Sequence, residues 1–209
     1  MSTEARSQLF LRFVDSIEGK NPDFRESVDT ESLLALESKE EKRDAEELLI
    51  KRIGDDDWRA PPALAAADCR GAVMPMKRAL DEASPRMKVS IAMALQDLEA
   101  IPAADPLIAE VLRSGDPDGG LAALVAAEEM HSPEIRDALA WSCVHHPSRI
   151  VRVNAGAQLF YMAKLAPDSM ALEFRPVYID LGEDEEAKRR AAFKDIAEAV
   201  GMPPELADS

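Results

Sequence analysis

Residues 84–95 read SPRMKVSIAMAL, and this stretch decides the fold because its pattern recurs along most of the chain. A polar turn comes first, a basic residue follows, and an apolar stripe rich in alanine completes the segment. Small residues such as Ala92 and Ala94 here, and Ala155, Gly156 and Ala157 in a later copy, let neighbouring helices approach closely. The stretch therefore predicts a short helix that packs against similar helices.

The same opening returns at residues 57–65, 147–157 and 184–193, and a degenerate copy lies at residues 116–124. When the five copies are anchored on equivalent apolar positions, the steps between them are 29, 32, 30 and 36 residues; the anchors are Ala60, Val89, Leu121, Val151 and Ala187. A period of roughly thirty residues accommodates two short helices and two turns. The sequence therefore predicts an array of two-helix units.

A second signature occupies the other half of each unit, where a proline is followed by an apolar helix that ends in leucine. It occurs at residues 75–80, 106–112 and 133–139, with a less regular copy at residues 167–181. Proline is tolerated in the first turn of a helix, where its missing amide donor is not needed. Ser132 and Pro133 show this arrangement, with the serine as the cap and the proline as the first helical residue.

In these two signatures the chain resembles the HEAT-repeat family, in the short form of about thirty residues found in phycobilisome-lyase-like repeats. The resemblance covers residues 55–202 and rests on the Arg/Lys-x-x-Ala stripes and the Pro-apolar-Leu helices. Classical HEAT units are longer, and the unit at residues 116–124 lacks the usual basic residue. The resemblance implies an all-α fold, a right-handed α-solenoid of stacked two-helix repeats.

The first 54 residues show ordinary amphipathic helices without the repeat pattern, so we expect them to form an N-terminal cap, with residues 55–209 as one continuous repeat stack. Apolar side chains at helical spacing mark residues 9–17. Thr30 is predicted to cap a short second helix. Ser38 followed by Glu41 fits a capping box for a third helix, which stops at Gly54.

The charge of the chain favours a protein partner over a nucleic acid. Its 40 acidic and 25 basic residues give a formal net charge of −15, which repels a phosphate backbone. The longest basic run, residues 188–190, directly follows the acidic residues 183–186. Such a surface suits a basic protein through electrostatic complementarity, although negative charge alone can also serve solubility.

We expect a cytoplasmic protein without a membrane partner. The first residues lack the basic and apolar segments of a signal peptide. No run approaches the roughly 18 apolar residues that a membrane span needs.

Few residues are candidates for chemistry. Cys143, His145 and His146 form the one conceivable metal cluster, but a Cys-x-His-His run on one helical turn directs its side chains apart. The sequence contains neither a P-loop nor a Gly-x-Ser-x-Gly elbow. We therefore predict that the protein is not an enzyme and that no residue is catalytic, cofactor-binding or metal-ligating.

The candidate partner-binding residues follow from the resemblance, because the second helices of a HEAT stack usually line its concave surface. On this basis the predicted contact residues are Lys77, Arg78, Glu110, Arg113, Glu134, Asp137, Trp141 and Glu173. Trp141 lies on a polar flank of its helix, which suits an interface anchor. It is equally compatible with an aromatic side chain packed between repeat units.

Three functions remain open at this point. The leading hypothesis is a non-enzymatic protein-binding scaffold with an acidic concave surface, and its specific version is a bacterial immunity or antitoxin-like inhibitor of a basic protein. The alternative is a cofactor- or metal-handling HEAT-like enzyme or lyase subunit. A third is a structural subunit of a larger assembly.

Overall fold

The computed structural model describes residues 6–168 and 175–208, and the regular structure within these ranges is helical, without a β-strand. The expected all-α fold is therefore confirmed. The α-helices are α1 (Gln8–Ile17), α2 (Thr30–Leu34), α3 (Lys39–Gly54), α4 (Ala60–Ala66), α5 (Val73–Ala79), α6 (Pro85–Asp97), α7 (Asp105–Arg113), α8 (Pro117–Ala127), α9 (Pro133–His145), α10 (Arg149–Met162), α11 (Arg175–Tyr178) and α12 (Glu186–Val200). Short 3-10 helices include Ile179–Gly182 before α12 and Pro204–Asp208 after it.

The helices group into two compact units, Met1–Pro102 and Ala103–Ser209. Unit 1 contains α1 to α6, and unit 2 contains α7 to α12. The anchors of the five repeat openings all lie in helices, namely α4, α6, α8, α10 and α12. The expected division into a cap of residues 1–54 and a repeat stack of residues 55–209 stays a prediction.

The core of unit 1 is built from large apolar side chains of α1, α3, α4 and α6. Phe13, Leu49, Leu64, Ile91 and Leu95 are all fully buried in one cluster. The helix α4 packs against both α3 and α6, which places its small residues between larger neighbours. This packing explains why an alanine-rich helix of only seven residues is stable in the fold.

Unit 2 is organised around α9, which packs against α7, α10, α12 and the 3-10 helix Pro204–Asp208. Its buried side chains include Ile135, Leu139 and Cys143. Helices that are two apart in sequence also contact each other, since α7 packs against α9 and α8 packs against α10. Contacts between next-but-one helices are typical of stacked helical pairs. The right-handed solenoid itself stays a prediction.

The close helix packing predicted from small residues occurs at Gly156 in α10. A Cβ atom built there would lie 2.5 Å from Cδ1 of Leu181 and 3.0 Å from Cβ of Tyr178. A side chain at this position would force Leu181 and Tyr178 to shift, so the glycine is what permits α10 to lie this close to residues 178–182. The interpretation of this residue as a close-packing position is confirmed.

The helix caps agree with the sequence in two cases of three. Ser132 accepts a hydrogen bond from the amide of Ile135 at 3.3 Å, as predicted. Ser38 accepts one from the amide of Glu41 at 3.4 Å. The prediction for Thr30 was wrong, because Asp29 caps α2 and accepts from the amide of Ser32 at 2.9 Å.

The capping box at Ser38 is only half formed. The Glu41 carboxylate, which would complete it, accepts instead from the amide and hydroxyl of Ser7, at 2.6 and 2.7 Å. This long-range contact ties the start of α1 to the start of α3.

Candidate interaction surface

Arg152 in α10 is the basic residue of one repeat opening, and its side chain is buried inside the fold. Its guanidinium, only 3% exposed, donates to five backbone carbonyls. These belong to residues 146 and 147 before the helix and to residues 181–183 beyond it, at distances of 2.7–3.2 Å. Burial lowers the pKa of Arg152. The side chain holds two chain segments together and is not available to a partner.

Arg59 plays the same part in unit 1. Its guanidinium makes a two-point contact with the Asp57 carboxylate, at 2.8 and 2.7 Å. It also donates to the carbonyls of three residues around the end of α1 and the following turn, namely Ser16, Ile17 and Phe24. In these two copies, one in each unit, the basic residue of the repeat opening therefore links separate segments of the chain.

The predicted contact residues fall in both units. Lys77 and Arg78 are exposed in the last turn of α5, in unit 1, where the Lys77 ammonium donates to the carbonyl of Ala100 at 2.9 Å. Glu110 and Arg113 on α7 belong to unit 2, together with the three predicted residues of α9. Glu173 lies outside the described residues.

Within unit 2, α7 and α9 pack side by side and bring five of the predicted residues onto two neighbouring helices. Glu110 and Glu134 are exposed, and the other three are partly exposed. Glu134, Asp137 and Trp141 follow one another at intervals of three and four residues, so they share one face of α9. The Asp137 carboxylate accepts from Arg136 at 2.9 and 3.0 Å.

Trp141 packs on its own helix and remains partly exposed. Its ring lies 5.4 Å from the His145 ring, centroid to centroid, with 32° between the two planes. Residues four apart on a helix are neighbours, which accounts for this contact. Trp141 thus packs against a neighbouring ring and is still partly exposed, a combination that suits an interface anchor.

The C-terminal 3-10 helix is held beside this face by charged contacts. The carboxylate of Asp208 lies 3.1 Å from Nε2 of His145 and receives two hydrogen bonds from Arg190, at 2.9 and 3.0 Å. Arg190 also pairs with Glu186 at 2.8 Å. Contact with Arg190, and to a lesser degree with His145, lowers the pKa of Asp208. Sequence reasoning missed this cluster, since His145 and Asp208 are 63 residues apart.

The three residues of the Cys-x-His-His run point to different surroundings. Cys143 is completely buried, and burial raises the pKa of its thiol. His145 faces Asp208, whereas Nδ1 of His146 accepts from the amide of Ser148 at 3.0 Å. Across residues 6–168 and 175–208, no group of three His, Cys, Asp or Glu side chains is arranged to hold a metal ion.

The described surface also contains clefts. One of about 210 Å³ lies between the ends of α10 and α12, where it is lined by His131, Arg136, Met162 and Met202 among others. Ligand pockets usually have about 300–1,000 Å³ and bury most of the ligand. Two larger clefts, of about 410 and 380 Å³, are open depressions among charged residues of α1 and α12. None of these three clefts combines that size with an enclosed apolar lining.

No helix within the described ranges has the length and apolar character needed to cross a membrane. Comparisons with known protein families, with curated proteins and with solved structures find no match to this chain.

Proposed function

We propose that the chain is a non-enzymatic, HEAT-like protein-binding scaffold in which an acidic surface on α7 and α9 holds a basic protein. The observation that carries the proposal is the setting of Trp141. A partly exposed tryptophan that packs against His145 shares a helix face with Glu134 and Asp137, and Glu110 lies on the neighbouring helix. Tryptophan is one of the residues most often found as an anchor at the centres of protein interfaces, and complementary charge around it adds specificity.

The placement of the basic residues supports a protein partner over a nucleic acid. In the longest basic run, Lys188 pairs with Glu183 at 3.3 Å, and Arg190 pairs with Asp208 and Glu186. Arg189 donates to the carbonyls of Val144, Glu183 and Asp184. This run is thus engaged within the chain and offers no continuous basic patch for a phosphate backbone.

An inhibitory role of the immunity or antitoxin type is the specific form of the proposal. A negative net charge steers a basic protein toward the scaffold and makes the association rate fall with ionic strength. Blocking a partner needs only a complementary surface, which fits a protein whose described clefts are small or open.

The experiment compares proteins retained by three tagged forms of the full chain at physiological salt. The site variant carries Glu134→Lys and Asp137→Lys, and the control carries Glu37→Lys and Glu40→Lys, which make the same charge change at exposed positions of unit 1. We expect one basic protein on the wild-type and control forms, released as salt rises, and absent from the site variant. Retention of the same proteins by all three forms, or of no basic protein, contradicts the proposal.

A further inference from the structure

The helix α8 exposes apolar side chains to solvent. Val125 is 76% exposed and Leu121 is 37% exposed, and their spacing of four residues places both on one face of the helix. Ala122 and Ala126 beside them are partly exposed. Single exposed apolar residues are ordinary, whereas a contiguous apolar face often marks an interaction site.

The helix α10 lies beside α8. A Cβ atom on Gly120 would be 3.1 Å from Cγ2 of Val151, and the side chain of Gln158 donates to the carbonyl of Leu124 at 2.9 Å. The residue numbers increase together along both helices, so α8 and α10 run in the same direction. Ile150, at the start of α10, is 59% exposed.

The charged residues that flank the exposed stretch of α8 along the chain are acidic. Residues 119–127 carry no charged side chain, although 31% of the whole chain is charged. Asp116 and Asp118 lie at the start of α8, and Glu128 and Glu129 follow its end. The basic residue nearest to Ile150 along the chain is Arg149, whose guanidinium lies over Gly182. The apolar strip of α8 is therefore bounded by acidic residues at both ends.

We propose that the outer face of α8 docks a basic amphipathic helix of a partner protein. The apolar stripe of that helix covers Leu121 and Val125, and its lysine or arginine residues lie near the acidic ends of α8. The eleven residues of α8 span about 16 Å, which matches about three turns of a partner helix. A helix laid along an apolar surface is a common mode of peptide recognition. This surface is separate from the α9 face of the proposed function and does not depend on it.

The probe is a fluorescently labelled, 18-residue amphipathic peptide with a leucine stripe flanked by lysine, titrated with the full chain in an anisotropy assay. A companion peptide has glutamate in place of every lysine. We expect Val125→Lys to weaken binding of the lysine peptide at least tenfold, which corresponds to about 1.4 kcal/mol. The matched control Leu11→Lys replaces an apolar residue on α1 that is 46% exposed and leaves the affinity unchanged. The glutamate peptide should bind at least tenfold more weakly than the lysine peptide.

Thermal unfolding of both variants checks that they remain folded, as expected for exposed helix positions. Equal affinity of Val125→Lys and Leu11→Lys for the lysine peptide overturns the proposal. So does loss of binding in the Glu134→Lys, Asp137→Lys variant, because the peptide then occupies the α9 face. Concentration-dependent dimerisation of the wild-type chain that Val125→Lys abolishes, measured by analytical ultracentrifugation, assigns the face to a second copy and also overturns the basic-helix proposal.

Discussion

Replacing Arg152 by methionine should destabilise unit 2 severely. The substitution keeps much of the side-chain length but removes every donor to the carbonyls of residues 146, 147 and 181–183. The three bonds to His146, Leu181 and Gly182 are buried, so water cannot readily replace the guanidinium there. A buried polar group that loses its partner costs about 1–3 kcal/mol. Because the three carbonyls relax together, we expect a total loss of about 3–5 kcal/mol, a large part of a typical folding free energy.

Equilibrium denaturation in urea, followed by circular dichroism, measures this loss. The matched control is Arg136→Met, which removes an exposed arginine of α9 that pairs only at the surface with Asp137 and should cost at most about 1 kcal/mol. If the two units unfold in separate transitions, only the transition of unit 2 should shift. A loss for Arg152→Met within about 1 kcal/mol of the control would show that the buried carbonyls are satisfied without the guanidinium, and would refute this account of Arg152.

Two further predictions concern Gly156 in α10 and His146, which lies just before that helix. Gly156→Ala should destabilise the fold by about 1–3 kcal/mol, because the new methyl group overlaps Leu181; Gly54→Ala, where nothing lies within 4 Å, should be neutral or stabilising in the same urea assay. Burial lowers the pKa of His146, so the folded state binds fewer protons there than the unfolded state. The contribution of His146 to the free energy of unfolding is therefore fully present above its unfolded-state pKa of about 6.5, and it decreases as the pH drops below that value. His146→Asn should flatten the stability profile below about pH 6.5, and an unchanged slope there would contradict this assignment.

The helices were predictable because their signals are local. Helical periodicity, the Ser132-Pro133 start and the small residues around Gly156 act within a few positions of each other, and the structure agrees with them. The misplaced cap of α2 shows the limit of such reasoning. Thr30 and Asp29 are both good capping residues, and the choice between them depends on a backbone geometry that residue type alone does not specify.

The contacts that assemble each unit could not be read from the sequence. Arg59 donates to carbonyls up to 43 residues away along the chain. Every residue has a backbone carbonyl, so residue type does not indicate which carbonyls accept these hydrogen bonds. The apolar helix α8 raised a different difficulty. A helix that is apolar on all sides has no periodicity to indicate an outer face and would be expected to be buried, yet Val125 is exposed.

The way this chain uses its arginines bears on both proposed surfaces. Arg152 and Arg189 donate to backbone carbonyls, which are neutral dipoles. These hydrogen bonds therefore do not neutralise the charge of a carboxylate. Acidic groups such as Glu134 and Glu129 remain exposed. With a formal net charge of −15, the field outside the protein is negative on average. Such a field steers basic partners to either surface, while Trp141 on α9 and the apolar strip of α8 supply different short-range contacts. Raised salt should therefore slow association at both surfaces, whereas Val125→Lys should act on only one of them.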